Sequence, residues 1–273
     1  MWRGCFEALL FGILEGVTEW LPVSSTGHLI LLERWLKPSF TPAFFSLFEV
    51  VIQLGAILAV VVLFFAPLWP FSRKKSREER KNAWLLWGKI LLATLPAALA
   101  GAVLEDVLDR YLYNAPTVAA ALIFYGVWFL LLENRPRPAR VSRLEELGVK
   151  DALGIGVFQV LSLIPGTSRS GSTILGGRVL GVERPAAAAF SFYMAVPVMA
   201  GASLLKTVKF LRADTVLSRE EGVFLAVGVL TAFLVSLVTV RFLMDFVRRH
   251  SFRGFGVYRI VLGGLVLLSL LIS

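Results

Sequence analysis

Apolar positions in this chain fall into long, nearly charge-free runs, with no strict alternation that would suggest strands. Three runs, at about 44–65, 84–103 and 116–133, have the length of a membrane-crossing helix, and three more follow at about 186–208, 222–243 and 256–272. Two further stretches, 5–36 and 152–181, are just as apolar but are interrupted by Pro22 or Pro165 and then by Ser, Thr and Gly. Each is too broken for one continuous span and too apolar for a water-exposed loop. A kinked spanning or interfacial helix is one solution. We favour a helical hairpin that enters the bilayer and returns, because irregular backbone at that depth is tolerated against protein or a water-filled cavity. The fold class expected is an all-α integral membrane protein of six spanning helices and two re-entrant hairpins.

The two interrupted stretches resemble each other. With an offset of 144 residues, Glu15 pairs with Gln159, Thr18 with Ser162, Ser24 with Ser168, Ser25 with Arg169, Thr26 with Ser170 and Gly27 with Gly171, and the match runs on to Ile30 with Ile174 and Arg34 with Arg178. Three spans follow each copy, so the second copy enters from the opposite face. The chain therefore reads as a single membrane domain of two inverted repeats, at about 1–135 and 150–273. Sites in such pairs lie near the midplane where the repeats meet.

Charge supports this threading. The loop 67–83 carries Arg73, Lys74, Lys75, Arg77, Arg80 and Lys81, the loop 134–150 carries Arg135, Arg137, Arg140, Arg143 and Lys150, and Arg248, Arg249 and Arg253 lie in a third. All three fall on one side, which the positive-inside rule makes cytoplasmic. The opposite loops are poorer, with Arg110 in one and Lys209, Arg212 and Arg219 in another, and both termini are then outside. The net charge of +9 is thus accounted for by orientation, with no nucleic-acid partner. Of all positions 57% are hydrophobic and 17% charged, further toward the apolar end than soluble domains reach. The single cysteine, Cys5, excludes an internal disulfide and a Cys-based metal cluster, and no cleavable signal peptide is expected at the N-terminus.

The polar residues within the hairpins carry the candidate chemistry. Glu15 and Glu19 are four apart and share one helix face. A carboxylate at membrane depth costs roughly 2.5–3.5 kcal/mol even on the lenient insertion scale, which suggests a divalent-cation or proton site. Ser24, Ser25, Thr26, Gly27 and His28 crowd the next helix start. One of the hydroxyls there is expected to cap backbone N–H groups, but a serine near a histidine and a carboxylate is also how an alcohol is activated for attack. In the second hairpin Gly166, Thr167, Ser168, Ser170 and Gly171 surround Arg169. Small residues at a helix start can cradle an anion with backbone N–H groups, and a guanidinium fork suits phosphate oxygens. Glu49 and Gln53, four apart in the first span, either line the same cavity or serve a structural hydrogen bond. Acid and nucleophile on one repeat with an anion clamp on the other describe phosphoryl transfer.

The run Glu15-Gly-Val-Thr-Glu-Trp-Leu-Pro-Val-Ser-Ser-Thr-Gly-His28 and the run Pro165-Gly-Thr-Ser-Arg-Ser-Gly171 resemble the two signature motifs of the bacterial undecaprenyl-diphosphatase, or bacitracin-resistance, family. The resemblance covers nearly the whole chain. It implies dephosphorylation of a C55 isoprenoid diphosphate in the bacterial inner membrane, with a site facing the periplasm or outside. It makes Glu15 and Glu19 the metal and acid–base carboxylates, with Mg2+ or Ca2+ as the cation. Ser25 becomes the nucleophile, His28 its base or acid, and Arg169 the diphosphate clamp. Ser24, Thr26, Gly27, Gly166, Thr167, Ser168, Ser170, Gly171 and Gln53 would line the substrate site. Expected partners are the polyprenyl diphosphate and the bilayer, and a homodimer is compatible with the sequence. Two other classes share part of this pattern. A transporter shares the architecture but has no need of the reactive cluster. A phosphatidic-acid-phosphatase-type enzyme needs a histidine soon after the arginine, and none occurs between Arg169 and His250.

Overall fold

The structure, a computed structural model, describes residues 1–134, 138–213 and 217–271, with the backbone alone at 105, 106 and 109. Arg135 and Arg137 of the second basic loop lie outside the described residues. The chain begins with two short helices, α1 (Trp2–Thr18) and α2 (Ser25–Leu36). Three long ones follow: α3 (Pro42–Leu63), then the single turn α4 (Phe65–Leu68), α5 (Arg77–Tyr111) and α6 (Ala115–Glu133). The same order recurs as α7 (Val149–Val160), α8 (Arg169–Val179), α9 (Arg184–Arg212), α10 (Arg219–Arg249) and α11 (Arg253–Leu271). Among the described residues six helices, α3, α5, α6, α9, α10 and α11, are long and apolar enough to cross a membrane. The protein is an all-α, multi-pass membrane protein. The described extended pairing is an isolated bridge between Val141 and Val182.

Local signals explain where the helices start. Thr41 caps α3 ahead of Pro42, and Asn114 caps α6 ahead of Pro116. α5 and α10 open alike: Ser76-Arg-Glu-Glu79 and Ser218-Arg-Glu-Glu221 each close a capping box, with the serine hydroxyl taking the glutamate N–H and the glutamate carboxylate taking the serine N–H.

Packing follows the same duplication. α1 lies on α10, while α7 lies on α5, and the pairs α3–α9 and α6–α11 join like to like. Small residues make the close approaches. A Cβ at Gly12 would stand 2.7 Å from the Gly228 carbonyl oxygen, and one at Gly156 would stand 2.2 Å from that of Ala93. On α6–α11, Gly126 and Gly256 face each other's carbonyls at 2.8 and 2.9 Å by the same measure. Helix association in lipid depends on such contacts, because the bilayer gives no hydrophobic drive between helices. At the end carrying the basic loops, Arg140 pairs with Asp151 and Arg184 with Glu133, fastening the segment around 140 to α7 and the end of α6 to the start of α9. The result brings the turn between α1 and α2 against the turn between α7 and α8.

Candidate functional site

Glu15 and Glu19 stand one turn apart at the end of α1, where the Glu19 N–H closes on the Glu15 carbonyl at 3.0 Å. Both are buried. The chain then turns through Pro22 and Val23 to Ser24, whose backbone has φ 73°, and α2 begins at Ser25. In the second hairpin the 3-10 turn 161–163 leads through Gly166, at φ 90°, to Ser168 at φ 71°, and α8 begins at Arg169. Only glycine could occupy position 166, because a Cβ there would also sit 2.5 Å from the Val118 carbonyl oxygen.

Glu19 joins the two turns. Its Oε1 accepts from Arg169 Nη2 at 3.0 Å and Nε at 3.2 Å, and its Oε2 accepts from Ser25 Oγ at 3.1 Å. The partners are 150 residues apart in sequence, and both side chains are about nine-tenths buried. Arg169 is held from three more sides: Nη1 donates to the Ser191 carbonyl at 2.9 Å and its hydroxyl at 3.4 Å, and the Trp20 ring lies 5.6 Å beneath the guanidinium carbon. Ser170 Oγ donates toward the backbone carbonyls of Glu19 and Leu21, at 3.0 and 3.2 Å. Ser168 Oγ accepts the Gly171 N–H and so caps α8.

The other sequence candidates are placed as follows. Glu19, Ser25, Thr26, Gln53, Gly166, Ser168 and Arg169 border one cavity of about 190 Å3. Gly27 is buried beside Leu122. Thr167 is buried at the turn and presents its carbonyl elsewhere, to Arg259. Ser24 is buried, and its hydroxyl has no hydrogen-bond partner among the described residues. Glu15 is fully buried, and neither carboxylate oxygen has a hydrogen-bond partner among the described residues. Its counterpart Gln159 is buried in the same condition. Glu49 borders a much larger groove of about 1640 Å3, which meets the cavity at Thr26.

Among the described residues the hydrogen bonds of His28 go to the Ser24 carbonyl and Tyr258, not to Ser25. Its Nδ1 lies 2.7 Å from the Ser24 carbonyl, which can only accept, so Nδ1 carries a proton. In the neutral ring Nε2 is then an acceptor, and the Tyr258 hydroxyl stands 2.7 Å away to donate. Both ring nitrogens are engaged, and the imidazole serves as a strut between α2 and α11. Glu19, rather than a histidine, faces the serine hydroxyl.

Three residues outside the motifs also shape the site: Ser191, Tyr258 and Arg259. Ser191 sits in an apolar helix and gives no warning. Arg259 could have been found, because it is a charge inside the last apolar run, near its start, and an ionisable residue within a spanning segment is a functional candidate by default.

A carboxylate, a serine hydroxyl and a guanidinium thus meet where the two turns touch. Residues 8–265 match the family described as bacitracin resistance protein BacA. The chain belongs to that family. It is 52% identical over 268 residues to the undecaprenyl-diphosphatase of Acetivibrio thermocellus, covering 97% of each chain. It is 50% identical over 264 residues to that of Lactiplantibacillus plantarum, covering 96% of each, and 46% identical over 269 residues to that of Enterococcus faecalis, covering 98% of each. The candidate site in this chain draws on residues of both sequence motifs together with α9 and α11.

Proposed function

We propose that this chain hydrolyses undecaprenyl diphosphate to undecaprenyl phosphate and inorganic phosphate, recycling a lipid carrier for cell-wall polymers. One observation carries the proposal: a single carboxylate, Glu19, faces the Ser25 hydroxyl with one oxygen and the Arg169 fork with the other. The names of the relatives support it, as does the groove that opens from the cavity. Leu29, Ile30, Leu265 and Leu268 give that groove an apolar wall suited to an isoprenoid chain, while Thr26 borders both spaces.

The chemistry follows from the contacts. The terminal phosphate takes the Nε/Nη2 edge of Arg169 from Glu19, while Nη1 stays on Ser191. That exchange frees Glu19 to accept the proton of the attacking oxygen. In one route Ser25 Oγ attacks the terminal phosphorus, the anhydride P–O bond breaks, the lipid monophosphate leaves, and water then cleaves the phosphoserine. In the other, Ser25 orients a water that attacks directly. Rapid quench with labelled diphosphate separates them, since only the first leaves label on serine. His28 holds the Ser24–Ser25 turn through the Ser24 carbonyl.

Mg2+ or Ca2+ fits the donor set. Glu15 has two buried carboxylate oxygens without partners, next to Glu19 on the same helix end. Mg2+ in particular is usually held by one or two carboxylates, with substrate phosphate and water completing its shell. Glu15 and Glu19 would hold the ion, and bound there it would neutralise charge on the phosphate oxygens.

The basic loops support an inner-membrane orientation with both termini outside, and repeats at about 1–135 and 150–273 related by inversion. The groove is rimmed by Lys37, Pro38 and Tyr113, on the side away from those loops, which supports a site open to the outer face. The decisive experiment measures phosphate release from C55 diphosphate by purified protein. Ser25→Ala and Arg169→Ala should each nearly abolish it. Unchanged turnover in both, or lipid transport without phosphate release, would overturn the proposal.

A further inference from the structure

Arg259 is the largest fully buried charged side chain among the described residues, at 0% exposure, and it lies on α11, outside both motifs. Its Nη1 donates to the Pro22 carbonyl at 3.2 Å, in the first turn. Its Nη2 donates to the Gly166 and Thr167 carbonyls, both at 2.9 Å, in the second. The Tyr125 ring lies 5.8 Å from the guanidinium carbon. No carboxylate among the described residues pairs with it. A buried cation costs several kcal/mol in effective desolvation, so a packing role alone would be filled better by an apolar residue.

We infer that Arg259 is a positioning residue that locks the two catalytic turns in register, each arm of its planar fork holding one turn. The inference rests on the phosphatase reading for its consequence, though the tie itself is a matter of geometry. The three carbonyls it holds lie within three residues of Glu19 (Pro22) and of Arg169 (Gly166 and Thr167), so a slip of one turn against the other moves the Glu19–Arg169 contact directly. Carbonyls in a turn that is neither helix nor strand have lost their usual partners, and one guanidinium supplies three donors at once. Lysine cannot do this, because its donors radiate from one point and cannot address two turns separated by the width of a fork. The adjacent Tyr258 reaches His28, so consecutive residues of α11 hold the serine turn from two sides.

The test uses the full-length protein in detergent or liposomes with Arg259→Lys and Arg259→Gln. Arg259→Lys should remain folded, keep KM within about threefold, and lose at least tenfold in kcat. In an Arg169→Lys background, where the Glu19 contact is already damaged, the same change should cost less than threefold, because the two substitutions act on one contact. Amide hydrogen exchange at 23–24 and 166–168 should accelerate in both segments together. Full kcat in a folded Arg259→Lys protein, additive losses in the double variant, or exchange faster in only one turn would each overturn the inference. Loss of the fold in both variants would also overturn it, by making the role structural. Absence of phosphate release from the unaltered protein would instead sink the phosphatase proposal, and the exchange measurement would still judge the tie.

Discussion

Ser24 and Ser168, 144 positions apart, hold the same unusual backbone, with φ of 73° and 71°, each immediately before a short helix. With ψ of 103° and 123° the two residues occupy a sparsely populated region that costs a non-glycine residue on the order of 1–3 kcal/mol, so each is held there by its surroundings. The side chains then part company. Ser168 Oγ accepts the Gly171 N–H at 3.1 Å, whereas the Ser24 hydroxyl is buried and unpartnered. Ser168→Ala should therefore destabilise the protein by about 1 kcal/mol, the usual cost of a lost cap, and Ser24→Ala by less than about 0.5 kcal/mol. Thermal unfolding in detergent measures both. Equal losses would show that the two turns are matched in hydrogen bonding as well as in backbone.

The Glu19–Arg169 pair allows activity and stability to be separated. Breaking a buried pair from one side leaves an uncompensated charge and costs about 3–5 kcal/mol, while replacing both members with apolar or neutral groups of similar size is often close to neutral. Arg169→Met should lower the unfolding temperature markedly, and Glu19→Gln/Arg169→Met should recover most of that loss. Both proteins should be inactive. A double variant no more stable than Arg169→Met would mean that Glu19 is compensated by another group, and the two-sided role assigned to its carboxylate would need revision.

For His28 the geometry gives an expectation opposite to that of a proton carrier. An asparagine amide can reproduce the Nδ1 donation to the Ser24 carbonyl, so His28→Asn should retain at least about a tenth of turnover; a general acid or base typically contributes 100-fold or more. Tyr258→Phe, which removes the donor to Nε2, should fall in the same mild range. Steady-state phosphate release suffices as the measurement. If His28→Asn falls as far as Ser25→Ala, the imidazole leaves its strut position during turnover and joins the chemistry.

Much of this was legible in the sequence because the bilayer restricts what a chain can do. Long apolar runs can only be spanning helices, so the six spans were readable to within a few residues, apart from the polar ends of α5 and α10. α5 begins well before its apolar run, at a Ser-Arg-Glu-Glu capping box that carries no apolar signal, and α5 and α10 run on past theirs to Tyr111 and Arg249. The meeting of Glu19, Ser25 and Arg169 was legible because polar clusters at membrane depth need partners, and the repeat offset aligned Ser25 with Arg169. The hydrogen-bond roles were not. That His28 turns from Ser25 to Tyr258, and that Ser191 and Arg259 hold the turns, depends on how α9 and α11 pack, which no local pattern encodes.

Glu15 offers the sharpest test of the cation. Its counterpart Gln159 shows that a buried, unpartnered amide is tolerated at the equivalent position, so Glu15→Gln should fold and melt no lower than the unaltered protein. If Glu15 is a ligand, the substitution replaces a charged oxygen donor with a neutral one, and hard cations depend on such charge. Chelator should stop phosphate release by the unaltered protein and added Mg2+ or Ca2+ should restore it. For Glu15→Gln the concentration of free ion giving half-maximal rate should rise at least tenfold, with substrate KM measured at saturating ion changed much less. Ion titration curves that superimpose for the two proteins would remove Glu15 from the coordination shell and leave its orphaned carboxylate without a role in metal binding.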